Sequence, residues 1–253
     1  MLPILMYHGL HEGPHSHGRY DPVYSVHPDE FARQLDWLAA HGFQAVRLDD
    51  AAASLAAGNR PVVVTFDDGD ASNCEVALPL LQARGMYAEF FVTSDFVGQD
   101  GMLQPAQVKT LADAGMGIGA HGRSHRFLED LEAGEMLAEL RDSRNVLQDI
   151  GIDRIDAIAL PGGRGGRRER KAALEVGYRF LLGSAPGPNR RPRPGQWLQR
   201  LAITRDMPLE RFADLVRWQG AGPRIATARF HALRIPKILL GNRNYQRLRE
   251  RLL

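Results

Sequence analysis

A chain of 253 residues with 44% hydrophobic residues can bury a full core, and its length suits a single α/β barrel. The formal net charge of +2 is too small to argue for nucleic acid as a partner, so we expect none. Cys74 is the one cysteine in the sequence, which excludes an internal disulfide framework.

The chain begins with the apolar run Leu2 to Tyr7, which predicts a buried strand ending at His8. The loop that follows, Gly9 to Val26, is rich in Gly, Pro, Ser and Asp and contains three histidines: His11, His15 and His17. Such a density of histidine could form a second metal site. The spacing fits no compact ligand pattern, however, and favours a solvated loop at the rim of the active site.

Short apolar runs then alternate with amphipathic segments as far as Ile203. The predicted strands are Phe43 to Leu48, Val62 to Phe66, Tyr87 to Val92, Gly117 to Ala120, Ile155 to Leu160, Tyr178 to Gly183 and Trp197 to Ile203. The predicted helices are Pro28 to His41, Asp49 to Ala57, Ala71 to Arg84, Pro105 to Ala114, Leu131 to Asp149 and Arg167 to Val176. This alternation predicts a mainly parallel sheet with enough units to close as a barrel.

One strand carries two adjacent carboxylates at its end. Pro61 and the β-branched residues after it predict a strand buried on both faces, which ends at Asp67 and Asp68. Gly69 then allows a sharp turn. In parallel α/β folds, catalytic residues lie at the C-terminal ends of the strands. The Asp-Asp-Gly sequence alone, however, is also common in turns that have no catalytic role.

A pair of histidines follows the predicted strand Gly117 to Ala120. His121 and His125 are four residues apart, and they can meet one ion if the intervening residues form a helical turn. Together with a carboxylate they would make a site of two histidines and one aspartate, with positions left open for water and substrate.

The sequence resembles the polysaccharide deacetylase family, whose members use a metal ion to remove acetyl groups from sugars. The family pattern is a strand ending Thr-Phe-Asp-Asp-Gly, then His-x-x-x-His, then a loop with Pro-Gly. Here these motifs are Thr65 to Gly69, His121 to His125 and Leu160 to Gly163. The resemblance covers most of residues 1–205 and implies an irregular (β/α) barrel of about seven parallel strands, which agrees with the strand count above.

The resemblance also implies the roles of individual residues. Asp67 would be the general base, and a divalent ion, expected to be zinc, would be bound by Asp68, His121 and His125. The oxyanion and the substrate would meet the turn after the strand Ile155 to Leu160, with the Gly162 N–H as the expected oxyanion donor. The residues of this turn are Pro161, Gly162, Gly163 and Arg164.

The acid that protonates the leaving amine is a histidine at the end of a strand in this family. His8 fits that position, as in the circularly permuted members, the exopolysaccharide deacetylases of the poly-N-acetylglucosamine type. A closed barrel brings its first strand beside its last, so the permutation would leave the geometry unchanged. His231 is the competing residue late in the chain, but it lies in a helical, Arg-rich context.

Two features depart from the family pattern. Many members have an arginine that orients the base where this chain has Ala159, and Arg164 or Arg200 could substitute for it. For the later aspartate and tryptophan of the family, the candidates in this chain are Asp206 and Trp197.

Residues 206–253 form a predicted helical extension packed on or next to the barrel of residues 1–205. Its predicted helices are Leu209 to Arg217, Arg224 to Arg234 and the basic amphipathic Asn244 to Leu253. The arginine-rich run from Arg224 to Leu253 is expected to form a solvent-exposed helix face. The alternative is that this run makes peripheral contact with an anionic membrane. No stretch approaches the roughly 18 apolar residues of a membrane span. With Met1 as the start and no signal peptide, we expect a cytoplasmic protein, or one at the inner membrane surface.

These features favour a metal-dependent hydrolase that removes N-acetyl groups from amino sugars of a polysaccharide or a glycan precursor. One alternative is an O-acetyl esterase or a deformylase acting on a lipid-linked sugar. A second alternative, from a different class, is a catalytically inactive glycan-binding barrel. The four residues Asp67, Asp68, His121 and His125 argue against the inactive barrel, because binding alone does not need all of them.

Overall fold

The computed structural model describes residues 1–190, 192–230 and 232, and within them the strands form one parallel sheet. The sheet is built around β3, which pairs with β1 and β4 and, at its start, with the short β2. The strands are β1 (Ile4–Tyr7), β2 (Gln44–Ala45), β3 (Pro61–Phe66), β4 (Ala88–Val92), β5 (Gly117–Ala120), β6 (Ala157–Ala159), β7 (Phe180–Leu182), β8 (Trp197–Leu198) and β9 (Leu201–Ala202).

The sheet curves round into a barrel that is closed by one interrupted strand. Its order is β8-β7-β6-β5-β4-β3-β1-β9, so β8 and β9 lie at opposite ends of the pairing order. Only Gln199 and Arg200 separate these two strands along the chain. Leu198 of β8 pairs with β7, whereas Leu201 of β9 pairs with Leu5 of β1. The predicted adjacency of the first and last strands is therefore confirmed, as is the parallel α/β class with an irregular barrel.

Alternation along the strands separates an inner core from an outer one. The inner core combines side chains from opposite walls of the barrel, including Ile4, Val63 and Phe91. The outer core lies between the strands and the helices, where Leu5, Val64 and other strand residues meet apolar helix faces. Because Val63 and Thr65 face inward, the next residue in that alternation, Asp67, also points into the barrel.

Helices cover the outside of the sheet and close one end of it. They are α1 (Pro28–Ala40), α2 (Leu48–Ala56), α3 (Leu78–Gln82), α4 (Pro105–Asp113), α5 (Ala133–Asp149), α6 (Arg167–Val176) and α7 (Leu209–Arg217). Leu48 and Ala51 of α2 belong to the inner core, so this helix plugs the end opposite the strand C-termini. The Leu48 N–H donates to the buried Glu89 carboxyl at 2.7 Å, and burial raises the pKa of Glu89 to about 7.

Three predicted elements differ most from the structure. The strand Phe43 to Leu48 is reduced to the two residues of β2. The helix Ala71 to Arg84 is a π-helical turn, Asn73–Ala77, followed directly by α3. The last strand, Trp197 to Ile203, is broken at Arg200, because that residue turns its side chain into the barrel and leaves the hydrogen-bonding register.

The chain after β9 continues the outer core. Phe212 and Val216 of α7 are fully buried in it, and Phe212 contacts Trp37 of α1 edge-to-face at 5.7 Å. Residues 222–230 are helical. The boundary predicted after residue 205 stays a prediction, and the predicted helix Asn244 to Leu253 lies outside the described residues, as does His231. Within the part of the chain that the structure describes, no helix is long and apolar enough to cross a membrane.

Candidate functional site

The two carboxylates after β3 point in different directions. Asp67 continues the inward alternation of the strand and is only 2% exposed. Asp68 has a positive φ of 73°, which is uncommon for a residue other than glycine and turns its side chain towards the loop after β5. The local backbone therefore gives two adjacent acids separate environments.

Arg200 holds Asp67 from inside the barrel. Its Nη1 and Nη2 donate to the two carboxylate oxygens of Asp67 at 2.7 and 2.8 Å, and its Nε donates to the Gly183 carbonyl at 2.8 Å. Arg200 is 1% exposed, so the pair is buried. Of the two arginines considered as substitutes for the one missing at Ala159, it is Arg200 that contacts Asp67.

The environment of Asp67 favours its ionised form. Burial by itself raises the pKa of Asp67, but the positive charges of Arg200, His121 and His8 outweigh burial. The pKa of Asp67 therefore lies below its ordinary value. The Arg200 contacts take one lone pair on each oxygen, and a carboxylate has others with which to accept a proton.

Asp68, His121 and His125 converge on one point. The Asp68 Oδ1 lies 3.3 Å from Nε2 of His121 and 3.3 Å from Nε2 of His125. One ligand atom from each of the three residues lies within 4.8 Å of the others. The Asp68 and His125 side chains are 31% and 34% exposed, so solvent and substrate can reach this point.

The donor set fits a divalent cation. The Asp68 Oδ1 is buried and makes no well-oriented hydrogen bond with any described residue, although two imidazole nitrogens face it. The His121 Nδ1 donates to the Ala159 carbonyl at 2.8 Å, which leaves Nε2 free to act as a ligand. Two histidine nitrogens and one carboxylate oxygen are a common zinc set.

The charges around these atoms also favour a cation. Burial raises the pKa of Asp68, but its contacts with His121 and His125 and the charge of His8 outweigh burial and hold the pKa well below its ordinary value. Burial lowers the pKa of His121, but the carboxylates of Asp67 and Asp68 outweigh it and raise the pKa. Both shifts show that positive charge is stabilised between these side chains.

The predicted helical turn between the two histidines is wrong. Residues 121–127 form an irregular loop in which Gly122 and His125 have positive φ values of 75° and 63°. The Glu139 carboxylate on α5 shapes this loop by accepting the backbone N–H groups of Arg123 and Ser124 at 2.9 and 3.0 Å. The histidines thus meet through a strained loop fixed by a neighbouring helix.

His8 follows β1 and adjoins the aspartate pair. Its charge contributes to lowering the pKa of both Asp67 and Asp68. Its ring packs on Tyr24 with a centroid distance of 4.8 Å, and its Nδ1 is buried without a hydrogen-bond partner among the described residues. His8, Asp67 and Asp68 therefore share one region, as the interpretation of a permuted barrel requires.

The turn after β6 borders the same region. Gly162 has a φ of 65°, and a Cβ there would lie 2.3 Å from the Phe127 ring, so glycine is needed. Arg164 lies over the Phe127 ring at 5.0 Å and pairs with Glu129 at 2.5 Å, so it stands at the rim and away from Asp67.

Other predicted residues lie elsewhere. His11 is fully buried, so the interpretation of its loop as solvated is wrong at that position, because His11 pairs with Asp70 at 3.3 Å. Among the described residues, no metal-like cluster includes the histidines of this loop. Trp197 packs near Gly165 and Asp206 is exposed.

Sequence reasoning missed the residues that support the site. Glu139 and Ser143 lie one turn apart on the buried face of α5, and the Ser143 hydroxyl donates to the Gly122 carbonyl at 2.9 Å. A polar residue at a helix position where the periodicity predicts a buried apolar one needs a hydrogen-bond partner, and this pattern could have identified both residues. Tyr24 offered no comparable signal, since it lies in a loop without periodicity.

Comparison with known proteins bears on the family of this chain. The family model described as Polysaccharide deacetylase matches residues 55–181. The protein YxkH of Bacillus subtilis (strain 168) is 29% identical over 210 residues, which are 81% of this chain and 72% of that protein.

Two solved structures share the fold. The deacetylase PplD of Streptococcus pyogenes, in complex with acetate, has a TM-score of 0.74 and 25% identity over 85% of this chain and 97% of that one. IcaB from Ammonifex degensii has a TM-score of 0.70 and 22% identity over 86% of this chain and 96% of that one, and shows the fold alone. With a family model matching half of the sequence, this chain belongs to the polysaccharide deacetylase family.

Proposed function

We propose that the chain is a metal-dependent hydrolase that removes N-acetyl groups from amino sugars of a polysaccharide or a glycan precursor. The observation that carries the proposal is the convergence of Asp68, His121 and His125 beside Asp67, which Arg200 holds in place. The family supports acetyl removal, and acetate bound to the related S. pyogenes deacetylase is the product of such a reaction.

Asp68, His121 and His125 would hold the ion. A divalent ion such as zinc supplies Lewis-acid chemistry there, polarising the acetyl carbonyl and lowering the pKa of water. The hydrogen bond from His121 to the Ala159 carbonyl fixes the imidazole plane, so the ligand nitrogen is oriented in advance.

Asp67 is the proposed general base. It is kept ionised by Arg200 and lies next to Asp68 in the chain, so it can take a proton from the water that attacks the carbonyl carbon. The bidentate contact with Arg200 fixes the direction of the carboxylate while leaving lone pairs for this proton.

His8 is the proposed general acid. Expulsion of an amine requires a proton, and His8 approaches from the strand on the other side of β3 from His121. The Gly162 N–H is proposed to donate to the developing oxyanion, since Gly162 lies in the turn after β6 that borders the site. Arg164, at the rim over Phe127, would contact the substrate.

The test combines metal content with turnover. We expect His121→Ala and His125→Ala to lose the ion in elemental analysis, and we expect Asp67→Asn to keep it. Asp67→Asn should lower deacetylation by the roughly 10²–10⁴-fold typical of a general base. His15→Ala is the matched control, because His15 is an exposed histidine outside the site, and it should change neither readout.

Two outcomes would contradict the proposal. Full metal content in both histidine variants would remove the proposed ion site. Loss of the ion in Asp67→Asn, to the same extent as in Asp68→Asn, would mean that the roles of the two acids are exchanged.

A further inference from the structure

We propose that Tyr24 is a positioning residue for His8, and that a buried relay of Asp70, His11 and Ser25 holds Tyr24 in place. This inference rests on the proposed role of His8 as the acid. It concerns how the His8 imidazole is oriented in a site where its buried Nδ1 has no hydrogen-bond partner among the described residues.

Tyr24 covers one face of the His8 ring. The centroids are 4.8 Å apart and the planes are inclined by 31°, which is an offset, tilted stack. The His8 carbonyl is fixed separately by the Asn73 Nδ2, which donates to it at 2.9 Å. With the backbone anchored and one face covered, the remaining freedom of the imidazole is restricted by the tyrosine ring.

A tight turn presents Tyr24 to His8. The Asp21 carboxylate accepts the backbone N–H groups of Val23 and Tyr24 at 2.7 and 3.0 Å. The Ser25 hydroxyl accepts the Asp21 N–H at 2.7 Å, and the Ser25 N–H donates to the Asp21 carbonyl at 2.9 Å. Ser25 therefore closes the turn that carries Tyr24.

His11 links this turn to the catalytic strand. Its Nδ1 lies 2.9 Å from the Ser25 hydroxyl, and the whole residue is buried. Its Nε2 lies 3.3 Å from the Asp70 carboxylate, a close contact without the orientation of a hydrogen bond. Asp70 also accepts the Arg19 N–H at 2.6 Å and the Ser72 N–H at 2.9 Å. Because Asp70 comes two residues after Asp68, the relay ties the Tyr24 loop to the segment that bears the proposed base and metal ligand.

Backbone and Arg205 pack closely against the relay. A Cβ at Gly18 would lie 2.3 Å from the His11 Nε2 and 2.7 Å from both Asp70 oxygens, so the backbone of Gly18 approaches the pair closely. The Arg205 Nη1 donates to the carbonyls of His11 and Ser25, both at 2.9 Å. Arg205 follows the barrel-closing strand, so two walls of the barrel hold the loop.

The arrangement of Ser25, His11 and Asp70 has the order of a hydrolase triad but cannot act as one. Ser25 is 1% exposed, and its hydroxyl is occupied by His11 and by the Asp21 N–H. A nucleophile needs access to the substrate. The three residues therefore act on catalysis only by holding the loop.

The experiment compares an amide with an activated ester. The amide is N-acetylglucosamine tetramer and the ester is 4-nitrophenyl acetate, whose leaving group needs no proton. His8→Ala sets the reference, with a loss on the amide that greatly exceeds the loss on the ester. Tyr24→Ala should lower kcat on the amide about tenfold and leave the ester rate nearly unchanged, whereas Tyr24→Phe should restore the amide rate because it keeps the ring.

The relay is tested by Ser25→Ala. We expect this variant, like Tyr24→Ala, to have a lower ratio of the amide rate to the ester rate than the parent protein. Tyr87→Ala is the matched control, since Tyr87 is an exposed tyrosine at the start of β4, at the opposite end of the barrel. Metal content and melting temperature, measured on every variant, separate loss of the ion or of the fold from loss of positioning.

The outcomes distinguish the two proposals. Equal losses on amide and ester in His8→Ala would overturn the role of His8. If His8→Ala behaves as proposed, then equal losses or no losses in Tyr24→Ala would overturn the positioning role, and an unchanged rate ratio in Ser25→Ala would overturn the relay.

Discussion

Arg200 and Asp67 form a buried ion pair, and its contribution to the free energy of unfolding can be compared with that of an exposed pair of similar geometry. Removing one member leaves the other charge without compensation inside the barrel, which typically costs about 3–5 kcal/mol. In contrast, Arg84 binds Asp36 with two contacts at 2.7 and 3.1 Å, but at the surface, where such pairs contribute about 0–1 kcal/mol.

We expect Arg200→Gln to lower the free energy of unfolding by about 3–5 kcal/mol, and the double variant with Asp67→Asn to recover part of that loss. Urea unfolding of the four members of the cycle measures the coupling. Arg84→Gln, the surface control, should cost less than about 1 kcal/mol. Strictly additive losses for Arg200 and Asp67 would show that the pair is not coupled.

Glu89 gives stability a dependence on pH. Burial raises its pKa from an ordinary value of 4.5 to about 7 in the folded protein, whereas the unfolded chain releases the proton near 4.5. Its contribution is therefore fully present below pH 4.5 and is lost as the pH rises through about 7. The shift corresponds to about 3 kcal/mol between these limits.

We expect Glu89→Gln to remove this loss, so the free energy of unfolding should depend less on pH between about 4.5 and 7 than in the parent protein. Urea unfolding across that range measures the slope. Glu175→Gln, an exposed glutamate on α6, should leave the slope as it is. The same slope in Glu89→Gln and the parent protein would mean that Glu89 is already ionised in the folded state.

At the scale of residues, motifs predicted which side chains meet but not what supports them. Asp68, His121 and His125 converge, as the resemblance to the family implied. Arg200 was one of two candidates and could not be chosen, because its approach to Asp67 depends on a break in a strand that periodicity reads as continuous.

At the scale of elements, the loop after β5 shows why spacing alone misleads about conformation. Two histidines four residues apart lie on one face of a helix, and the sequence offered no reason to reject that geometry. The loop is irregular because α5 supplies a better set of hydrogen bonds to its backbone, from Glu139 and Ser143. That competition is tertiary and does not appear in a local pattern.

The role of Glu139 can be tested through metal affinity. Glu139→Ala removes the single carboxylate oxygen, Oε2, that accepts both the Arg123 and the Ser124 N–H, so both backbone groups lose their partner. We expect the affinity for zinc to fall about 10–100-fold, as for other residues that orient metal ligands. Titration with a competing chelator measures it, and Asp149→Ala at the exposed end of α5 is the control. Unchanged affinity in Glu139→Ala would show that the loop orders itself.

At the scale of the molecule, the alternation of strands and helices predicted the parallel sheet and the meeting of its ends. It did not predict that the last strand would be broken into two parts that pair with opposite ends of the sheet. The first part, β8, pairs with β7, and the second part, β9, pairs with β1. The break between them positions Arg200 inside the barrel, so closure of the fold and orientation of the proposed base depend on the same two residues, Gln199 and Arg200.

Asn189 secures this closure and gives the last prediction. Its buried side chain donates to the carbonyls of Leu2 and Gln199 at 3.2 and 2.8 Å and accepts the Gln199 N–H at 2.9 Å. Each buried group left unpaired costs about 1–3 kcal/mol, so Asn189→Ala should lower the free energy of unfolding by about 3 kcal/mol in urea. Asn59→Ala, in an exposed loop, should cost little. Because Gln199 precedes Arg200, Asn189→Ala should also slow deacetylation without loss of metal. Parent-like stability and turnover in Asn189→Ala would mean that strand pairing alone closes the barrel.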